Sequence, residues 1–329
     1  MRAAVIEGPD QVAVRDVPDP TPAADEVVVA VAGCGICGTD VHLVEGVLPG
    51  ARYPLVPGHE FYGRVVHTID GGPPTGSLVA VDPNLPCGAC PPCRNGRSNL
   101  CENYSAIGVT RDGACAEYVA APAGVCRLLP DGFRLDAAAL IEPMSCVIHG
   151  VDRVPAQPRS ARWVVYGAGT VGTLMADAVA PLTDHEVSVV EPNPDRRSRA
   201  GALGFRAAAS ADEFPVAEFD VVIDCTGVPA AIGDGLGRIA TGGAMLLFGV
   251  ASPNAVVDLS PYDVYRREIT IVGSMAVHRS FDRAITAISE RPTVAAALVT
   301  HRVSLADYPS ALEVFRSGGS GKVEIVASS

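Results

Sequence analysis

The chain has 329 residues, 48% hydrophobic and only 19% charged, which describes a globular protein with length enough for two domains. A net charge of −12 works against nucleic acid and anionic membranes, so neither is expected as a partner. No run approaches the roughly 18 apolar residues that span a bilayer, and the first residues, Met1 to Glu7, lack a signal-peptide pattern. A cytoplasmic protein is expected, in which ten cysteines read as metal ligands or buried thiols, not disulfides.

Short β-branched runs at 3–6, 12–14 and 26–31, separated by Pro- and Asp-rich turns, predict a partly open β-barrel. The run Gly35-Ile36-Cys37-Gly38-Thr39-Asp40-Val41-His42 follows as a loop leading into a short helix. It puts a thiol, a hydroxyl, a carboxylate and an imidazole close together. Further on come Gly58-His59-Glu60 and, much later, Ile141-Glu142-Pro143. Sulfur, nitrogen and carboxylate oxygen are the donors that zinc takes in open, reactive sites. Residues 65–66 and 78–81 continue the barrel.

Cys87, Cys90, Cys93 and Cys101 form a C-x2-C-x2-C-x7-C pattern in a polar stretch over about 84–104. Four thiolates on a small lobe without apolar periodicity predict a closed structural zinc site, with an iron–sulfur cluster as the alternative. A strand near 112–119 and a helix over 136–151 complete a first domain, 1–150, with Glu142 early in that helix. The Pro-rich link 154–158 marks a change of architecture.

Residues 162–166 read as a buried strand, followed at once by Gly167-Ala168-Gly169-Thr170-Val171-Gly172 and a helix over 173–180. A second strand, 186–190, ends in Glu191, about 20 residues after the glycines, where a dinucleotide fold places its ribose-binding carboxylate. The glycines let a pyrophosphate approach the helix N-terminus. Strands at 220–224, 244–248 and 269–272 extend a doubly wound sheet. Their ends, with Thr226, Gly249, Val250 and Ser274, should line its ligand crevice. This dinucleotide-binding domain spans 151–280. After 281 an amphipathic helix (Phe281, Ala284, Ile285, Ile288), a strand and a further helix are expected to rejoin the first domain.

In this order, GICGTDVH, PLVPGHEFYGRVV, the cysteine lobe, TRDGACAEYV, ALIEPMSCVIHG and YGAGTVG resemble the zinc-dependent medium-chain dehydrogenase/reductase superfamily across nearly the whole chain. The pattern is most similar to its polyol and threonine dehydrogenases. The resemblance implies an α/β chain: a GroES-like catalytic barrel plus a Rossmann parallel-sheet domain. It implies two zinc ions, one structural and one catalytic, the latter held by Cys37, His59 and Glu60. Glu142 would be either a direct ligand or the partner of bound water. Asp40 would orient a ligating histidine, Thr39 would take the proton of the substrate hydroxyl, and His42 would pass it to solvent. Gly167, Gly169, Val171, Gly172 and Glu191 would hold NAD, with Arg196 and Arg197 softening the preference over NADP. A homodimer or homotetramer is a family expectation, with strand 269–272 as a suitable edge.

The reaction implied is hydride transfer between a secondary alcohol and the dinucleotide, with zinc as Lewis acid. Ala276-Val277 stands where sorbitol dehydrogenases carry an Arg-Tyr pair for polyol hydroxyls, and Cys115 replaces a bulky aromatic. The substrate therefore stays open among polyols, cyclitols, amino alcohols such as threonine, and simple secondary alcohols. A non-catalytic zinc- and dinucleotide-binding protein and a regulatory zinc ribbon are the competing classes; neither explains an intact Cys37, Thr39, His42, His59 and Glu60 beside a glycine loop. Cys34, Cys126, Cys146 and Cys225 read as core thiols.

Overall fold

The β-branched runs at 3–6 and 26–31 form strands buried along nearly their whole length, while Gln11–Asp16 alternates exposed and half-buried residues. A computed structural model describes residues 1–48 and 50–326. Within it, Arg2–Gly8 pairs with Gln11–Asp16. A seven-stranded sheet runs in the spatial order Val299–Ser304, Lys322–Val326, Glu26–Gly35, Glu60–His67, Leu78–Val81 and Cys126–Leu128, with Tyr118–Pro122 also on Glu26–Gly35. Its core gathers Ile6, Val29, Phe61, Val79, Tyr308 and Ile325. The chain divides into two units: Met1–Ser145 together with the chain from Val277 onward, and Cys146–Ala276.

Three local features of the first unit place functional side chains. Glu26–Gly35 leads directly into the helix Gly38–Val44, which carries Thr39, Asp40 and His42. Glu60 opens the strand Glu60–His67, in register opposite Gly35. The C-terminal strand Lys322–Val326 lies antiparallel on the other side of Glu26–Gly35, with Glu324 opposite Gly35. A continuous helix was expected over 136–151. Instead a 3-10 segment, Leu135–Leu140, precedes the α-helix Ile141–Arg153, and Glu142 sits in the first turn of the latter.

The second unit holds a six-stranded sheet, parallel throughout. Its order is Arg206–Ala208, Ser188–Val190, Trp163–Tyr166, Phe219–Asp224, Ile239–Leu247 and Thr270–Gly273. The first βαβ strand sits centrally and the order reverses beside it, the doubly wound arrangement. Both faces are covered, so Val164, Val165, Val221 and Val222 are all buried, as in a parallel sheet. The strand Arg206–Ala208 and the helix Pro292–Leu298, the latter in the first unit, were not expected from the sequence.

Candidate active site

One donor atom each from Cys37, His59 and Glu60 lie within 4.8 Å of one another. Asp40 builds this arrangement. Its side chain is fully buried; Oδ2 accepts from the Cys37 amide at 2.8 Å and Oδ1 from the Gly58 amide at 3.2 Å. One carboxylate thus joins the two loops that carry the donors. His59 Nδ1 faces Asp40 Oδ1 at 3.7 Å, beyond hydrogen-bond reach, and is buried without a hydrogen-bond partner among the described residues. Burial pushes His59 down, but the charge of Asp40 and the contact with Cys37 outweigh it and hold the imidazole well above its ordinary value. Thr39 Oγ1 lies 3.8 Å from Cys37 Sγ, and His42 follows one turn later on the same helix.

Sequence reasoning missed Lys322. Its side chain is 3% exposed, and Nζ donates to Glu60 Oε2 at 2.5 Å and to the Ile36 carbonyl at 3.0 Å. Burial lowers its affinity for a proton, but Glu60, Cys37 and Glu142 more than restore it, and the net shift is upward. Glu142 therefore acts electrostatically on this cluster, although it is outside the three-donor group. A lysine and a glutamate on one face of the strand Lys322–Val326 are the signal that would have found it. A half-buried thiol beside a buried imidazole and carboxylate fits a zinc ion by its donor chemistry.

The four cysteines of the lobe also converge, with one sulfur each of Cys87, Cys90, Cys93 and Cys101 within 4.8 Å of the others. Backbone N–H groups point at the sulfurs: Cys87 N to Cys101 Sγ at 3.3 Å and Cys90 N to Cys87 Sγ at 3.4 Å. The amides of Ala89 and Cys90 pull the Cys87 thiol down to about 6, favouring the thiolate that zinc binds. Of the remaining thiols, Cys34 and Cys126 are buried, with Cys34 Sγ 3.9 Å from Cys115 Sγ. Cys146 and Cys225 are only half-buried, and Cys225 lines the cavity of the second unit.

In the second unit a cavity of about 540 Å³ is lined by Gly167, Gly169, Glu191, Arg196, Ser210, Cys225 and Thr226, among others. Gly167 adopts φ +97°, and a Cβ on Gly172 would lie 1.9 Å from the Gly167 carbonyl oxygen, so the turn into the helix Thr170–Val179 admits no side chain there. Val171 is half-buried in the first turn of that helix. Glu191 accepts from the Ala168 amide at 2.8 Å and the Asn193 amide at 2.9 Å. Arg197 caps the Glu191 and Pro192 carbonyls at 2.8 Å, while Arg196 Nε is buried without a partner among the described residues. Buried Asp224 holds the next loop, accepting from Thr226 Oγ1 and from the amides of Thr226 and Gly227. Gly249 approaches that loop, Val250 is 83% exposed, and Ser274 Oγ is buried without a hydrogen-bond partner among the described residues. These features fit a dinucleotide: a helix N-terminus free for phosphate, a carboxylate at the strand end, and a partly apolar slot.

Two family models match, the alcohol dehydrogenase GroES-like domain over residues 23–131 and the glucose dehydrogenase C-terminus over 135–323. The D-altritol 5-dehydrogenase of Agrobacterium fabrum is 32% identical over 85% of each chain, and the D-arabinitol dehydrogenase 1 of Uromyces fabae is 32% identical over 89% of this chain and 87% of its own. A solved zinc-binding dehydrogenase of Sinorhizobium meliloti, bound to NADP, superposes with a TM-score of 0.92 at 30% identity, covering 99% of this chain and 98% of its own. The chain belongs to the zinc-dependent medium-chain dehydrogenase/reductase superfamily. It is an oxidoreductase of the zinc-type alcohol dehydrogenase kind, interconverting a secondary alcohol and a ketone.

Proposed function

We propose that the substrate is a polyol, cyclitol or amino alcohol, oxidised reversibly with NAD, and that Cys37, His59 and Glu60 hold the catalytic zinc while the four lobe cysteines hold a structural one. The observation that carries this reading is the convergence of the half-buried Cys37 and the buried His59 and Glu60 beside Thr39. Bound there, zinc supplies Lewis acidity toward the alcohol, and the dinucleotide takes the hydride.

The chain's own residues do the rest. Thr39 Oγ1 accepts the proton of the substrate hydroxyl, and His42, half-buried on the same helix, passes it to solvent. Asp40 keeps the Cys37 and His59 loops together. Gly167, Gly169 and Gly172 bring the backbone against the pyrophosphate, and Glu191 takes the adenosine ribose hydroxyls. The likeness to the altritol and arabinitol enzymes supports a polyol. At the position expected for the Arg-Tyr pair of sorbitol dehydrogenases, Ala276 and Val277 offer no hydrogen-bonding side chain, and Val277 is buried. Ten free cysteines suit a reducing cytoplasm, and the edge strand Thr270–Gly273 suits pairing in a homodimer or homotetramer.

One observation favours NADP instead: the unpartnered Arg196 Nε lies at the same cavity as Glu191, and an arginine there accommodates a 2′-phosphate. Initial rates on a panel of polyols, cyclitols and amino alcohols with each dinucleotide decide both questions. The NAD reading predicts a lower KM for NAD in the wild type, and a Glu191→Ala variant whose KM for NAD rises much more than its kcat falls. Unchanged NAD kinetics in that variant would remove Glu191 from the ribose site.

A further inference from the structure

Lys322 and Glu60 stand on strands that do not touch each other: Glu26–Gly35 runs between them. Their side chains meet across that middle strand only because residue 35 is glycine. A Cβ on Gly35 would lie 2.1 Å from Glu60 Oε2 and 3.1 Å from Lys322 Cδ. The pattern repeats two residues along the same face. Glu324 and Tyr62 meet over Gly33, with Tyr62 Oη donating to Glu324 Oε1 at 2.8 Å and Arg302 Nε donating to Glu324 Oε2 at 2.8 Å.

The two clips differ in what they touch. The outer one ends in a partly exposed arginine, whereas the inner one ends on a carboxylate in the three-donor group and on the Ile36 carbonyl next to Cys37. A buried ammonium is costly unless it is paired and hydrogen-bonded, and here it is both. Negative charge gathers here: Glu60, Glu142 and the fully buried Asp40 surround the donors, and Lys322, on which Glu60 and Glu142 act, sets a buried cation against them.

We infer that Lys322 is a positioning residue for the metal: by holding Glu60 Oε2 it makes Glu60 a one-oxygen ligand and draws charge away from the metal's donors. This rests on reading Cys37, His59 and Glu60 as metal ligands, and its test needs no turnover. The full chain is loaded with zinc for release to a chelator, and with cobalt(II) for its visible absorption, in wild type and in Lys322→Met. With the ammonium gone, Glu60 binds through both oxygens and carries its full charge. Release from this site should slow by about tenfold, equivalent to about 1.4 kcal/mol, opposite in sign to the loss of affinity that removing a ligand-orienting partner gives, and the cobalt bands should weaken as coordination number rises; faster release would overturn the inference. Glu324→Gln loosens the outer clip without touching Lys322 and should behave as wild type. If Lys322→Met does not fold, Lys322→Gln keeps a donor for the Ile36 carbonyl and should shift both readouts in the same direction by less. Lysine variants indistinguishable from wild type would overturn the inference, as would equal changes in the Glu324→Gln protein, which would mark the effect as strand packing. A wild type that holds metal only at the cysteine lobe would overturn the inference together with the ligand assignment beneath it.

Discussion

Asp40 shows how much of the site is carried by single residues. Both its oxygens serve backbone amides, and those amides belong to the two loops that bring Cys37 and His59 together. Replacing it with alanine leaves the buried Gly58 N–H and the part-buried Cys37 N–H without this acceptor, at a cost of about 1–3 kcal/mol for the buried one. Asp40→Ala should therefore lower the Tm measurably and release the catalytic metal, while Thr39→Val should leave the Tm nearly unchanged and lower kcat on the order of 10²- to 10⁴-fold. Calorimetry beside steady-state kinetics separates the two; a Thr39→Val enzyme of normal kcat would take that hydroxyl out of the proton path. Residues close in sequence were legible because motif spacing displays them together. Lys322 was not, because it lies 262 positions from Glu60 and meets it only through the pairing of the last strand.

Elements with strong periodicity were readable in the same way. Runs such as 26–31 and 219–224 are buried but for one half-buried residue each, Ala30 and Asp220, and the helix Phe281–Glu290 buries the expected Phe281, Ala284, Ile285 and Ile288. The strand Arg206–Ala208 was not readable: it has three residues, none β-branched, and owes its conformation to parallel pairing with Ser188–Val190. The helix Pro292–Leu298 escaped for a related reason, being two turns begun by a proline and held by the packing of Ala295 and Leu298. Where the glycine loop meets its helix, the proposed dinucleotide site is made by the element itself. Gly172→Ala sets a methyl 1.9 Å from the Gly167 carbonyl oxygen, so the turn must open. NADH fluorescence titration should show binding at least about tenfold weaker, the equivalent of about 1.4 kcal/mol, with the zinc content unchanged. Normal NADH affinity in that variant would mean that the phosphates bind elsewhere.

For the molecule as a whole, the order of motifs along the chain made the fold class legible, while substrate choice was not, since it depends on side chains such as Ala276 and Val277 that carry no polar signature. Global stability should also carry an imprint of the buried polar ladder. Burial pushes the Glu324 carboxyl up, and its hydrogen bonds from Arg302 and Tyr62 recover only part of that. A raised acid contributes stability that is full below its unfolded pKa and is lost as pH rises through the folded one. The Tm difference between Glu324→Gln and wild type should therefore move in the variant's favour as pH rises from about 4 toward neutrality; a difference that stays flat would mean that Glu324 ionises without penalty. The central claim is that one chain holds two distinct metal centres, an open one at Cys37, His59 and Glu60 and a closed one at the four lobe cysteines. Elemental analysis of zinc per chain tests it most directly, on the wild type and on a Cys37→Ser/His59→Ala variant. The account predicts two zinc ions falling to one, with the NAD-linked activity lost; one zinc ion in both proteins would contradict it.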